Sequence, residues 1–111
     1  MKRVFLQTLF FSKKLLDRGG DTLLEEVEQE ILNNPEAGDV IPGAGGVRKM
    51  RISDPLRGKG KRGGYRVIYL DLPHVSRVYL ITFYGKDEAD NLSTEGKKTI
   101  AILAKQLRGE K

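Results

Sequence analysis

The stretch YRVIYLDLPHVSRVYLITFY, residues 65–84, contains two runs of strand-forming residues separated by a short turn. Both runs, YRVIYLDL and RVYLITFY, are rich in the β-branched and aromatic residues that strands favour. The second run is apolar almost throughout, which predicts a central strand covered on both faces. PHVSR between the runs predicts a hairpin turn, so the two strands should pair antiparallel. His74, the only histidine of the chain, lies in this turn and is predicted to be a surface residue.

Another strand is predicted just upstream, in VRKMRIS, residues 47–53. Strand alternation places Arg48 on one face and Lys49 with Arg51 on the other. If the strand that follows pairs beside this one, Arg66 enters the same neighbourhood. Like charges that face each other across strands are unfavourable, and an anion would relieve them. The alternative is that these long side chains simply extend their charged ends into water.

The N-terminal third of the chain predicts two helices after a short strand at residues 3–7. The first helix ends at a Gly-Gly pair, residues 19–20. The second is predicted to begin at Thr22, which has capping-box spacing to Glu25, and to end before Pro35. Because only a short glycine-rich turn joins them, the two helices are expected to pair as a hairpin.

Loop composition is evident in AGDVIPGAGG, residues 37–46, and helical periodicity returns from Ser93 to Gly109. The predicted order is β-α-α-β-β-β-α. Consecutive strands joined by short loops give a small, largely antiparallel sheet flanked by helices, which is an α+β fold. Residues 1–111 are expected to form a single domain, because the sequence shows no internal repeat and no second domain.

Composition excludes several classes of function. An apolar fraction of 39% with 32% charged residues is typical of a soluble globular protein. The chain has no cysteine and a single histidine, so the sequence predicts no disulfide, no zinc site and no cofactor. No apolar run approaches the ~20 residues that span a membrane. These features fit a protein of the reducing cytoplasm.

Charge is distributed unevenly along the chain. Residues 21–39 contain seven acids and no lysine or arginine, whereas the rest of the chain carries all 20 cations against 8 acids. Residues 47–66 alone contain eight cations and one acid. A basic pole of this kind is the electrostatic footprint of a nucleic-acid binder. A solvated charged face is the alternative interpretation of such a run.

The loop GKGKRGG, residues 58–64, contains a G-x-G-x-x-G pattern. A dinucleotide site would need a strand before the pattern and a helix after it, but here a strand follows, so we reject that interpretation. Lys59, Lys61 and Arg62 crowd the same loop. Glycines let backbone N–H groups approach a phosphate and the cations supply charge, so we favour phosphate contact over a slack turn.

FYGKDEADNL, residues 83–92, follows the last predicted strand. Tyr84 and Lys86 lie at the strand end, where functional side chains are common. A tyrosine can stack on a base, and either side chain can transfer protons. The alternative for Tyr84 is an aromatic residue at the margin of the core.

Three segments in this order, NPEAGDVIPGAGGVRKMRI (34–52), GKGKRGGYRVIY (58–69) and LITFYGKDEADNLS (80–93), resemble the RelE/ParE superfamily of toxins. The resemblance is nearest to the HigB branch of the RelE-like toxins. It implies a toxin of a bacterial type II toxin–antitoxin pair, with a small antiparallel sheet, two N-terminal helices and a C-terminal one. The implied partners are mRNA, the ribosome with its ribosomal RNA, and a cognate antitoxin, HigA-like with a helix-turn-helix.

RelE-like toxins enter the ribosomal A site and cut mRNA without a metal ion, by attack of a ribose 2′-OH on the adjacent phosphate. Lysine and arginine side chains do the acid–base work and stabilise the phosphate. Carried over by motif, the resemblance implies catalytic positions in this chain at Lys49, Arg51, Arg66, Tyr84 and Lys86. The RNA-binding residues that we predict are Arg48, Lys59, Lys61, Arg62 and Tyr65.

The sequence also departs from the best-known RelE pattern. Those members carry an arginine after the Gly-Lys pair and an aromatic residue near the start of the last helix, where this chain has Asp87 and Ser93. Either Tyr84 and Lys86 substitute for them, or the chemistry is arranged differently. Two other functions stay open: a ParE-like inhibitor of DNA gyrase without catalysis, and a non-toxic RNA-binding domain.

Overall fold

A computed structural model describes residues 2–53, 64–85 and 92–109. The elements in chain order are β1 (Val4–Gln7), α1 (Leu9–Asp17), α2 (Gly20–Asn33), β2 (Asp39–Val40), β3 (Arg48–Ile52), β4 (Tyr65–Leu72), β5 (Arg77–Gly85) and α3 (Thr94–Leu107). A short 3₁₀ turn, Pro73–Val75, joins β4 to β5 and exposes His74. The predicted α+β fold is therefore confirmed, with each predicted helix and strand present.

The sheet has five strands in the order β1-β5-β4-β3-β2. Neighbours are antiparallel except at one edge, where β1 runs parallel to β5. β5 is an internal strand, as predicted, but β4 occupies the centre. The two-residue strand β2 was not predicted, because residues 37–46 have loop composition. It pairs with Arg48 and Lys49, and among the described residues no strand pairs with residues 50–52 on that side of β3.

Both faces of the sheet are covered. On one, the α1–α2 face, helix residues such as Phe11 and Val27 pack on strand residues such as Val67 and Phe83. On the other, the α3 face, Ile100 belongs to a second cluster that also contains strand residues and the segment before β3. Fully burying an aliphatic or aromatic side chain contributes about 1.5–3 kcal/mol, so these two clusters hold the helices on the sheet.

The turn between α1 and α2 differs from the prediction. Helix α2 begins at Gly20 with Gly19 as its N-cap, so Thr22 lies inside the helix and is not the capping residue. Gly19 has φ +81°, and a Cβ there would lie 2.6 Å from Leu23 Cδ2. Only glycine can adopt this backbone conformation and lie so close to Leu23. Gly19 therefore lets α2 begin at Gly20, two residues before the predicted start at Thr22.

The acids of α2 lie mostly on its outer surface, as expected for an amphipathic helix. Glu30 is half-buried, and so is Glu28. Its burial, together with the nearby Glu25 carboxylate, raises the pKa of Glu28 above the usual range.

Helix α3 has the ends that the sequence predicts. The hydroxyl of Ser93 accepts a hydrogen bond of 3.0 Å from Gly96 N, and Gly109 follows the helix with φ +77°. The loop before β3 packs tightly on this helix, since a Cβ on Gly45 would lie 2.9 Å from Ala101 Cα. None of the helices that the structure describes is long and apolar enough to cross a membrane.

The turn that leads from α2 into β2 is fixed by β3 and β4. Tyr69 Oη donates a hydrogen bond of 2.8 Å to Pro35 O and accepts one of 2.9 Å from Gly38 N. Arg48, which lies directly opposite Tyr69, donates a 2.7 Å bond from Nη1 to Gly38 O. Burial raises the pKa of Tyr69, while the Gly38 bond and the Arg48 charge act in the opposite direction.

Candidate active site

Three predicted site residues form one row across neighbouring strands. Arg51 on β3 is the direct partner of Arg66 on β4, and Arg66 is in turn the direct partner of Tyr84 on β5. Directly opposite residues of an antiparallel pair point to the same face, here the α3 face. The row crosses the sheet at the end where β3 and β5 finish and β4 begins. Lys49 lies two residues before Arg51 and therefore shares this face.

A β-bulge puts Tyr84 in this row. β5 carries one extra residue between the pairs Ile68–Thr82 and Tyr69–Leu80. Leu80 belongs to the cluster on the α1–α2 face, and simple alternation would send Tyr84 to that face as well. The bulge reverses the alternation, so Tyr84 joins the α3 face beside Arg66.

Thr8, the N-cap of α1, holds the bulged segment. Its Oγ1 donates a 2.5 Å hydrogen bond to Ile81 O, and its backbone N–H donates a 3.0 Å bond to Leu80 O. The same Oγ1 accepts a bond of 3.1 Å from Phe11 N, which caps the helix. One side chain thus ties the start of α1 to the irregular part of β5.

The arginines of the row lie at different depths. Arg66 is 2% exposed and its Nη1 donates a 3.2 Å hydrogen bond to Gly64 O, whereas Arg51 is exposed. Tyr84 is 6% exposed. A buried guanidinium costs free energy to desolvate, and two arginines that face each other repel. Side chains whose arrangement lowers the stability of the fold are typical of binding sites.

A surface cavity of about 500 Å³ adjoins the row on the side of β3 that carries β2. Lys49 and Arg51 line it together with Glu30 of α2 and Asp39 of β2. Asp39 is also the direct cross-strand partner of Lys49. The cavity thus combines cations that suit a phosphate with carboxylates that can accept protons.

A family model described as the RelE toxin of RelE/RelB toxin–antitoxin systems matches residues 2–111. The chain belongs to the RelE toxin family. The resemblance seen in the sequence is thereby confirmed at the level of the family, and the protein is a toxin of a toxin–antitoxin system. The five-stranded, mostly antiparallel sheet with three helices is consistent with the RelE-like fold.

Two residues predicted to bind RNA in this RelE-family toxin lie on the opposite face. Arg48 is half-buried and holds the turn at Gly38. Tyr65 is buried on the α1–α2 face, where its ring packs edge-on against Phe83 at 5.3 Å between ring centroids. The Arg18 guanidinium lies 5.5 Å from the centre of the Tyr65 ring. Both predicted residues are thus engaged in packing away from the cationic row.

Four predicted site residues of the RelE-family toxin lie outside the described residues: Lys59, Lys61, Arg62 and Lys86. The G-x-G-x-x-G glycines and Asp87 lie outside them as well. Within the described ranges, no group of three or more metal-ligating side chains occurs.

Sequence reasoning missed the carboxylates beside the row, Glu30 and Asp39. Both belong to the acidic run, residues 21–39, whose composition does not indicate that any of its acids lies beside the basic residues. Only the packing of α2 and β2 beside β3 brings them to the cavity. The sequence carries a partial signal for Asp39, because residues 41–47 form a connection short enough to bring it beside the basic strand.

Proposed function

We propose that this toxin is an endoribonuclease that cuts mRNA in the ribosomal A site and so inhibits translation. The observation that carries the proposal is the row Arg51–Arg66–Tyr84 with Lys49 on the same sheet face. Membership of the RelE toxin family supports it, and the HigB branch is the part of the family that we favour.

The proposed reaction needs no metal ion. The 2′-OH of one ribose attacks the adjacent phosphorus, the bond from phosphorus to the 5′ oxygen of the next nucleotide breaks, and the products carry a 2′,3′-cyclic phosphate and a 5′-OH. A base takes the 2′-OH proton, and an acid returns a proton to the leaving 5′ oxygen. The negative charge that develops on the pentavalent phosphate needs cations placed in advance.

Arg51 and Arg66 suit the phosphate because a guanidinium donates forked hydrogen bonds to phosphate oxygens. Because Arg51 is exposed, it is the first of the two arginines to contact the RNA. Arg66 acts from within the sheet face, where weaker screening strengthens its attraction for the phosphate. Lys49, Tyr84 and Lys86 are the candidates for proton transfer.

The wider RNA contact is assigned to Lys59, Lys61 and Arg62, which hold the message, ribosomal RNA or both. The partner that neutralises the toxin is a HigA-like antitoxin with a helix-turn-helix, acidic where it covers the basic pole. All of these interactions take place in the cytoplasm.

The proposal is tested by inducing the toxin in growing cells and mapping the 5′ ends of translated mRNA by primer extension. Discrete cuts in frame with the codons are expected within minutes of induction. A DNA-damage response without mRNA cleavage would instead indicate a gyrase inhibitor. Full toxicity of Lys49→Ala, Arg66→Ala and Lys86→Ala would show that the site is wrongly placed.

A further inference from the structure

A second, smaller cavity lies beside the candidate active site, between β2 and the start of α3. It has a volume of about 240 Å³ and shares two residues, Asp39 and Lys49, with the larger cavity. Lys97, from the first turn of α3, and Leu92 also line it. Lys49 therefore connects this cavity with the one lined by Arg51.

The register of α3 explains why Lys97 reaches the cavity. Residues three and seven positions further along, Ile100 and Ala104, are buried against the sheet. Side chains at i, i+3 and i+7 share one face of a helix, so Lys97 also faces the sheet and is half-buried. Lys97 thus faces the sheet, whereas the adjacent Lys98 is exposed. Replacing each lysine in turn therefore compares two neighbouring residues of the same type on one helix.

The charges around this cavity favour an anion. Among the described residues, two lysine side chains line it with one carboxylate, that of Asp39. Two ammonium groups on one small cavity repel each other, and apolar walls such as Leu92 and Ile41 weaken the screening by water. The first turn of α3, capped by Ser93, adds the positive end of a helix dipole nearby.

We propose that Lys49 and Lys97 form a phosphate subsite that holds the RNA backbone next to the phosphate being cut. The RNA strand then runs from the Arg51–Arg66 row past Lys49 to α3. The inference rests on the proposed endoribonuclease function, because it takes single-stranded RNA as the ligand. It adds Lys97 as a binding residue that the sequence had placed in an ordinary amphipathic helix.

The test measures binding rather than cleavage. The probe is a fluorescent single-stranded oligoribonucleotide with 2′-O-methyl riboses, which lacks the attacking hydroxyl and stays intact. Lys97→Ala is expected to weaken binding at least about tenfold, the lower end of the loss typical of one hydrogen bond to a charged group. The slope of log affinity against log salt should fall by about 0.7, the value for one phosphate contact with a single strand.

Three further variants complete the experiment. Lys97→Arg should keep the affinity of the native protein, because the charge is retained. Lys98→Ala should change the affinity less than about twofold, since an exposed charge is well screened. Asp39→Asn should bind more tightly, because a carboxylate in the cavity opposes a phosphate.

Equal losses for Lys97→Ala and Lys98→Ala would overturn the subsite, as would weaker binding by Asp39→Asn or no binding by the native protein at low salt. A failure of the proposed nuclease function would give a different combination of cleavage and binding results. If the native toxin leaves ribosome-bound mRNA intact while Lys97→Ala still weakens binding selectively, the subsite stands and the nuclease proposal falls.

Discussion

Arg51 on β3 lies directly opposite Arg66 on β4, on the sheet face that α3 packs against. One of these arginines is exposed and the other is 2% exposed. A direct arginine pair across two strands opposes folding, because like charges repel. The arrangement is understandable if the face binds a group that carries several negative charges, such as a phosphate in a transition state.

Replacing Arg66 should remove catalysis without removing the fold. Arg66→Met keeps the length of an apolar stem but loses the charge, and we expect mRNA cleavage to fall by about 10²–10³-fold, the usual cost of losing one donor to a developing negative charge. Arg66→Lys should retain part of the activity, since it keeps the charge without the forked donors. Cleavage of ribosome-bound mRNA by variants shown to be folded by circular dichroism measures the effect.

Arg77→Met is the matched control for this prediction. Arg77 is an exposed cation at the opposite end of β5, where it pairs with Leu72. Its replacement removes the same net charge and should leave cleavage almost unchanged. Equal losses in the two methionine variants would mean that the net charge matters and the row does not.

Replacing Thr8 should affect both stability and the position of Tyr84. Thr8→Ala loses the α1 cap and the hydrogen bond to Ile81 O, for a combined cost of about 2 kcal/mol in the free energy of unfolding. Because the bulge decides the face of Tyr84, mRNA cleavage should fall as well. Urea unfolding and the cleavage rate of the folded variant measure the two effects.

Ser93→Ala provides the comparison for Thr8→Ala. Ser93 caps α3 through a hydrogen bond from Gly96 N and is exposed, so its loss should cost about 1 kcal/mol and leave the bulge intact. Thr8→Ser should restore both stability and cleavage. If the two alanine variants have the same stability and the same cleavage rate, Thr8 does not position the bulge.

Replacing Tyr69 by phenylalanine should destabilise the protein by about 1–3 kcal/mol near neutral pH, because Pro35 O and the buried Gly38 N–H lose their partner. The pKa of Tyr69 is raised by burial, so the folded state holds its proton more tightly than the unfolded chain does. The contribution of Tyr69 is therefore complete below about pH 10 and is lost as the pH rises through the folded-state pKa. Urea unfolding over a series of pH values measures it.

Tyr79→Phe is the control, since the Tyr79 hydroxyl makes no hydrogen bond to the described residues and its loss should cost less than about 0.5 kcal/mol near neutral pH. The stability gap between the native protein and Tyr69→Phe should narrow above about pH 10. A gap that stays constant through that range would contradict the raised pKa.

Much of the fold follows from local patterns in the sequence. The alternation in VRKMRIS correctly separates Arg48 from Lys49 and Arg51, and Ser93 and Gly109 mark the region of α3. Short elements and irregularities could not be predicted. A two-residue strand such as β2 has no periodicity to detect, and the bulge that turns Tyr84 leaves no signal in a continuous apolar run.

Much of the candidate site depends on tertiary packing. Arg66 was expected near Lys49 and Arg51 because adjacent strands tend to pair, and the register brings it opposite Arg51. Asp39 and Lys97 come from other elements, and their approach to Lys49 depends on how β2 and α3 pack at the edge of the sheet. Sequence composition gives no information on such contacts.

The most direct test of the central claim uses purified ribosomes, a defined mRNA with a known codon in the A site, and the purified toxin. We expect the native protein to cut within that codon, leaving a 2′,3′-cyclic phosphate and a 5′-OH, and folded Arg66→Met to lose about 10²–10³-fold of this activity. Intact mRNA after incubation with the native toxin, or equal cleavage by Arg66→Met, would contradict the central claim.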